Sequence, residues 1–167
     1  MEIERKFTVS TLPVNLKSYP CHIIEQAYLN TDPVVRIRKE DVSYYLTYKG
    51  KGLLAREEYN LPLNEESYYH LREKADGNVI SKKRYVIPIS DPKFDMTQLS
   101  SAKNSIDQIS LSVELDIFDP PFAPLVIAEV EFPDEKTAEA FLPLDWFSQD
   151  VTNDPAYHNS NLSRRKL

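Results

Sequence analysis

Met1-Glu2-Ile3-Glu4-Arg5-Lys6 opens the chain, and its alternation at period two places Glu2, Glu4 and Lys6 on one face of a strand with Ile3 on the other. Two carboxylates and an ammonium then point the same way. Such a trio can hold a divalent cation through oxygen ligands and set a positive charge beside it, as binding of a metal-chelated phosphate chain requires. A solvated strand face with a local ion pair would read the same over six residues, so the remainder of the chain has to decide.

The same device recurs. Charged residues sit two apart on one face at Glu2/Glu4, Arg36/Arg38, Arg56/Glu58, Lys82/Arg84, Glu114/Asp116 and Glu129/Glu131. Apolar residues such as Ile37, Val113, Leu115 and Val130 take the opposite face. About eight strand candidates, at 1–6, 22–29, 34–39, 42–49, 54–61, 78–89, 109–118 and 125–132, are separated by short turns. The class is therefore mainly β (α+β) and antiparallel, with a sheet large enough to curl or close. Closure would bring the first and last strands together, gathering carboxylates into one wall and Arg/Lys into the others. An open sheet with one wet face would intersperse the two signs instead.

The other segments frame these strands. Thr8 to Ser18 reads as a short helix or turn, Asn64 caps a helix to about Ala75 with Gly77 at its C-terminal position, and Asp134 caps a helix through Phe141. Leu144-Asp145-Trp146-Phe147 reads as an apolar turn, and Asp154-Pro155 starts a C-terminal helix. Residues 90–107 show the weakest periodicity and read as a long loop or irregular hairpin.

Composition narrows the function. At 167 residues, 41% of them hydrophobic, one domain (1–167) is expected. The single cysteine, Cys21, excludes an internal disulfide framework and a cysteine-rich zinc site. No apolar run approaches the roughly 20 residues of a spanning helix, and charge stands where a signal peptide needs a hydrophobic segment, so the expectation is a cytoplasmic protein with no membrane partner. A net charge of -6 argues against a broad grip on nucleic acid. With only 3 glycines, at Gly50, Gly52 and Gly77, neither a P-loop nor a GxGxxG loop can be assembled, and any phosphate must be held by side chains. His22, His70 and His158 fall outside the aligned pairs and are assigned packing or surface roles.

The opening Glu2-x-Glu4-x-Lys6 resembles the ExExK signature of the CYTH family, the triphosphate tunnel metalloenzymes. Gln26-Ala27-Tyr28-Leu29, Arg36-Ile37-Arg38, Leu46-Thr47-Tyr48-Lys49-Gly50, Lys82-Lys83-Arg84-Tyr85, Glu114-Leu115-Asp116 and Ala128-Glu129-Val130-Glu131-Phe132 resemble further family motifs, in family order. The resemblance implies an eight-stranded antiparallel β-barrel forming a tunnel with a charged lumen, a few short helices packed outside and a C-terminal helix. It implies phosphate binding by Lys6, Arg36, Arg38, Lys49, Arg56, Lys82 and Arg84. It implies Mg²⁺ or Mn²⁺ held by Glu2, Glu4, Glu129 and Glu131, with Glu114 and Asp116 as further metal or water-positioning candidates. Glu2, Glu4, Lys6 and Glu131 carry the catalytic assignment. Two departures stand out: Asn60 occupies a position where many relatives have a second Glu, and Ala156 one where a base is frequent.

The expected activity is metal-dependent hydrolysis of a triphosphate, foremost inorganic triphosphate. An adenylate cyclase, a thiamine triphosphatase and a non-catalytic polyphosphate- or nucleotide-binding module are the alternatives. The expected partner is a triphosphate-bearing small molecule, and a homodimer is compatible with the reading.

Overall fold

The alternating segments do form strands. A computed structural model of the chain describes residues 1–52, 54–99 and 109–166. The strands are β1 (Glu2–Val9), β2 (Cys21–Thr31), β3 (Val34–Glu40), β4 (Ser43–Lys49), β5 (Ala55–Arg56), β6 (Glu58–Leu63), β7 (Asp76–Ile89), β8 (Leu111–Phe118), β9 (Val126–Glu131) and β10 (Phe147–Asp150). Among the described residues three short α-helices, α1 (Glu65–Arg72), α2 (Glu135–Ala140) and α3 (Asn159–Leu162), accompany them.

Every strand pairing is antiparallel, in the order β10-β1-β9-β8-β7-β2-β3-β4-β6. The ring closes through β5, which continues the β6 line across Glu57 and pairs Glu2 with Arg56 and Ile3 with Ala55 on β1. Glu4 N donates to Leu54 O (3.0 Å) at the same seam. The nearly closed barrel read from the sequence is thus present. Counting β5 and β6 as one interrupted stave gives eight staves, with β10 added beside β1. Pro88, which lacks the N–H a central strand needs, lies where β7 has run past its pairing with β2 and keeps only β8.

Because the inward face is charged, the apolar packing lies mostly outside the barrel. Ile3 and Phe7 of β1, Val113 and Leu115 of β8 and Ala128 and Val130 of β9 pack against Ala138 and Phe141, at and just beyond α2. On the other side, Ala27 and Ile37 pack under Tyr68 of α1. Both helices start where the sequence marks a cap: Asn64 Oδ1 accepts from Ser67 N (2.7 Å) and Asp134 Oδ1 from Thr137 N (2.8 Å). One end of the lumen is apolar too, filled by Tyr28, Ile80, Phe118, Phe122, Ile127 and Leu162 of α3.

Several local expectations are corrected. The helix expected to about Ala75 ends at Arg72, and Gly77 lies in β7, not at a helix terminus. Its φ of +71° suits glycine, and a Cβ there would meet Ser163 O at 2.2 Å, because the C-terminal segment docks on this spot through Asn78 N to Ser163 O (2.6 Å). Phe147, read as the end of an apolar turn over 144–147, instead starts β10 (Phe147–Asp150), which pairs with β1. The C-terminal helix is a 3-10 turn at Pro155–Tyr157 followed by the four residues of α3. Of the expected 90–107 loop, residues 100–107 lie outside the described residues, whereas Phe94 forms a bridge with Phe141.

Candidate active site

Since β1, β3, β4, β5, β6, β7, β8 and β9 all turn their charged faces inward, they enclose a cavity of about 220 Å³. Glu2, Glu4, Lys6, Arg36, Arg38, Lys49, Arg56, Arg84, Glu114, Glu129 and Glu131 line it. These are all but two of the site candidates. Lys82 and Asp116 share the inward face yet are fully buried behind the wall, between the charged cavity and the apolar plug, where the Lys82 ammonium lies 5.4 Å from the Phe118 ring.

Register explains how so many like charges coexist. Opposite charges face one another across strands at Glu2/Arg56, Lys6/Glu129, Lys49/Glu58 and Arg84/Asp116. Lys6 Nζ contacts Glu129 (2.5 Å) and Glu4 (2.8 Å). Burial opposes the Lys6 charge, but these two carboxylates hold its pKa above the usual range. The same ammonium, against the cost of burial, holds Glu4 and Glu129 low, Glu129 with the help of Arg84. Arg84 is clamped by Asp116, whose Oδ1 and Oδ2 accept from Nε and Nη2 at 2.7 Å each, and it also reaches Glu129 (2.6 Å) and Glu114. Asp116 additionally contacts Lys82, so its geometry is that of a residue positioning two cations.

Lys49 bridges Glu2 and Glu58, each at 2.7 Å. Burial and Arg36 press the Lys49 pKa down, and burial with Glu4 raises that of Glu2, so both drift toward neutrality despite their contact. Glu58 moves the other way: burial is outweighed by Lys49 and neighbouring hydrogen bonds, which take it down to about 2.

The acidic wall spans β1, β9 and β8, where register sets Glu4 opposite Glu131 and Glu114 opposite Glu129. Like charges directly opposite repel. Glu131 shows the result, its pKa raised by burial and then by Glu114, Glu4 and Glu58. As the side chains stand, no group of three or more His, Cys, Asp or Glu among the described residues converges on a single metal position. The donor set is nonetheless all carboxylate oxygen, the chemistry preferred by Mg²⁺ and Mn²⁺, and the unrelieved repulsion around Glu131 is what a hard cation would relieve.

Several lining residues escaped sequence assignment, Glu40, Tyr45, Tyr28 and His158 among them. Tyr45 OH donates to Glu40 (2.5 Å) and accepts from Arg38 Nη1 (3.3 Å). Tyr28, its phenol pKa raised by burial, sits beside Arg36 and Arg38. Their inward position was visible in the alternation of β2 and β4. His158 was assigned to packing or the surface, and it does both more and less: it lines the cavity while its Nε2 bonds Thr152 O (3.2 Å), and burial lowers its pKa. No local pattern in the sequence could bring it there, because Thr152 is tied to β1 through Lys6 N to Thr152 Oγ1 (3.0 Å). No helix among the described residues is long and apolar enough to cross a membrane.

Residues 1–140 match the CYTH domain family. An inorganic triphosphatase of Nitrosomonas europaea is 33% identical over 166 residues, covering 97% of this chain and 96% of the relative. An inorganic triphosphatase of Acetivibrio thermocellus is 36% identical over 169 residues, covering 96% and 92%. Among solved structures, the crystal structure of an inorganic triphosphatase superposes with a TM-score of 0.68 at 30% identity, over 99% of this chain and 96% of that one.

Proposed function

The chain belongs to the CYTH domain family, and on that premise we propose that it is a metal-dependent hydrolase splitting inorganic triphosphate into diphosphate and orthophosphate. One observation carries this reading: in the eight-stave ring β3 stands opposite β9, so a pair of buried guanidiniums, Arg36 and Arg38, faces the Glu129/Glu131 carboxylates across the lumen. A linear polyanion that binds a cation at one end fits such a space. The names of the relatives support the same substrate.

Arg36, Arg38, Lys49, Arg56, Lys6 and Arg84 would take the phosphate oxygens, arginine by its fixed fork and lysine as a point charge. They hold the chain in line and stabilise charge on the departing diphosphate. Lys82 and Asp116 would act through Arg84, fixing its plane. Glu131, Glu114, Glu129 and Glu4 would hold a divalent cation, with Glu2 beside them; when bound, Mg²⁺ or Mn²⁺ screens phosphate charge and makes water a better nucleophile. The new bond joins the water oxygen to the terminal phosphorus as the P–O bond to the diphosphate breaks, and no covalent enzyme intermediate is needed.

The experiment is incubation of purified protein with inorganic triphosphate, ATP or thiamine triphosphate, with Mg²⁺, Mn²⁺ or chelator, and identification of products. Cation-dependent release of equal orthophosphate and diphosphate from inorganic triphosphate is expected. Cyclic AMP from ATP would establish the cyclase instead, and binding without turnover would reduce the protein to a polyphosphate-binding module.

A further inference from the structure

The cations of the cavity fall into two groups. Lys6, Lys49, Arg56 and Arg84 each contact at least two carboxylates within 4 Å. Arg36 contacts none among the described residues, and Arg38 reaches only Glu40, at 4.0 Å. Both are more than nine-tenths buried. Their cross-strand neighbours are neutral on both sides: Tyr28 and Thr47 flank Arg36, and Gln26 and Tyr45 flank Arg38.

Two of these neighbours are fully buried and hold the guanidiniums by uncharged contacts. Gln26 Oε1 accepts from Arg38 Nε (3.1 Å) and Nη2 (2.8 Å), occupying the edge a carboxylate would otherwise take. Thr47 Oγ1 accepts from Arg36 Nη2 (3.1 Å) and donates to Asn60 Oδ1 (2.6 Å). Arg36 Nε, a buried donor, has no hydrogen-bond partner among the described residues, and Arg36 lines the cavity. Asn60 ends this chain of contacts on Glu58 through Nδ2 (2.9 Å).

A carboxylate at 26 would stabilise the empty protein, since two adjacent buried guanidiniums repel and the only carboxylate either contacts among the described residues is Glu40, 4.0 Å from Arg38. Neutral residues at 26 and 60 orient the two arginines and leave their charge available. We infer that Gln26 and Asn60, with Thr47, are specificity-determining positioning residues that reserve Arg36 and Arg38 for a free terminal phosphate, favouring inorganic triphosphate over organic triphosphate esters. This rests on the triphosphatase reading above. Inorganic triphosphate has a terminal phosphate with two ionisable oxygens at both ends, so one can meet the carboxylate-held cation and the other the two arginines. In an ester the far phosphate carries a single charge and an organic group, leaving one guanidinium unanswered.

Gln26→Glu keeps shape and adds the missing charge. Steady-state kinetics with inorganic triphosphate and ATP should show KM for the inorganic substrate rising at least about tenfold, kcat falling less, and the preference over ATP shrinking. Thermal stability should equal or exceed the parent's, because the new carboxylate pairs with Arg38. Asn60→Asp, at an exposed position, should act in the same direction more weakly. A merely structural Gln26 predicts the opposite pattern, with lower stability and equal losses on both substrates. If Gln26→Glu fails to fold, an unchanged substrate ratio in Asn60→Asp overturns the inference. A parent inactive on inorganic triphosphate overturns the triphosphatase reading itself, whereas an active parent whose substrate ratio neither substitution moves overturns only this one.

Discussion

Asp116→Asn removes the charge that holds two cations in a place without water. Asp116 and Lys82 are both 0% exposed, and Asp116 accepts from Arg84 twice at 2.7 Å while contacting Lys82. Asparagine keeps one acceptor oxygen, but its amide then turns donors toward a guanidinium or an ammonium that also only donates. Leaving a buried charge without its partner costs about 3–5 kcal/mol. For a chain of this size that corresponds to roughly 6–20 °C in melting temperature.

The pH dependence follows from Lys82, whose pKa burial presses down to about 8 against the pull of Asp116. The unfolded lysine titrates near ~10.4. Between those values the unfolded chain binds a proton that the native protein has shed, so this group's contribution to stability rises with pH across that window. Without Asp116 the window opens at lower pH, so the cost of the substitution should shrink as pH rises to about 8 and stay level above it, where both native proteins have shed the proton. Urea unfolding at pH 7 and pH 9.5 measures both quantities. Adding Lys82→Met to Asp116→Asn should restore at least about 1 kcal/mol, since the uncompensated ammonium goes too. A loss under ~1 kcal/mol at pH 7, or a cost that grows with pH, would refute the reasoning.

Glu131→Gln should abolish cation-supported turnover while leaving the metal-free protein as stable as the parent or more so, because burial and the facing carboxylates already disfavour its charge above its raised pKa; calorimetric titration with Mg²⁺ and thermal melts check the two halves. Arg38→Ala should lower kcat/KM for triphosphate by on the order of 10²-fold, with Arg38→Lys recovering only part, since a point charge cannot copy a fork; parental rates in both variants would remove Arg38 from the site. Gly77→Ala should cost more than ~1 kcal/mol and expose the C-terminal segment to limited proteolysis, because the added methyl occupies the position of Ser163 O.

The barrel and most of its inward face were legible because strand periodicity is local: Arg36-Ile37-Arg38 declares which side each residue takes without reference to any other strand. Register is not local. The like-signed pair Lys82/Arg84 is compensated largely by Asp116 and Glu114 on the next strand, which no spacing within β7 reveals. That same register is what singles out Arg36 and Arg38. Phe147–Asp150 was missed because four residues with one apolar member carry no period, and it is β1 that makes them a strand. His158 reaches the cavity through Thr152 and a fold-back of the chain that no spacing rule encodes.

The seam around β1 also sets an order of events during synthesis. Lys6 finds Glu129 across 123 positions of sequence and Thr152 across 146, while the opposite edge of β1 receives its partner from β5. β1 therefore keeps one edge open until β9, 123 positions on from Lys6 at Glu129, has been made. Contacts of such span form slowly, and an unpaired strand is a template for wrong pairing in the interval. The alternating charges of Glu2, Glu4 and Lys6 that define the finished cavity thus serve an earlier purpose as well: until β9 emerges, they keep a nascent edge hydrated and unattractive to other chains.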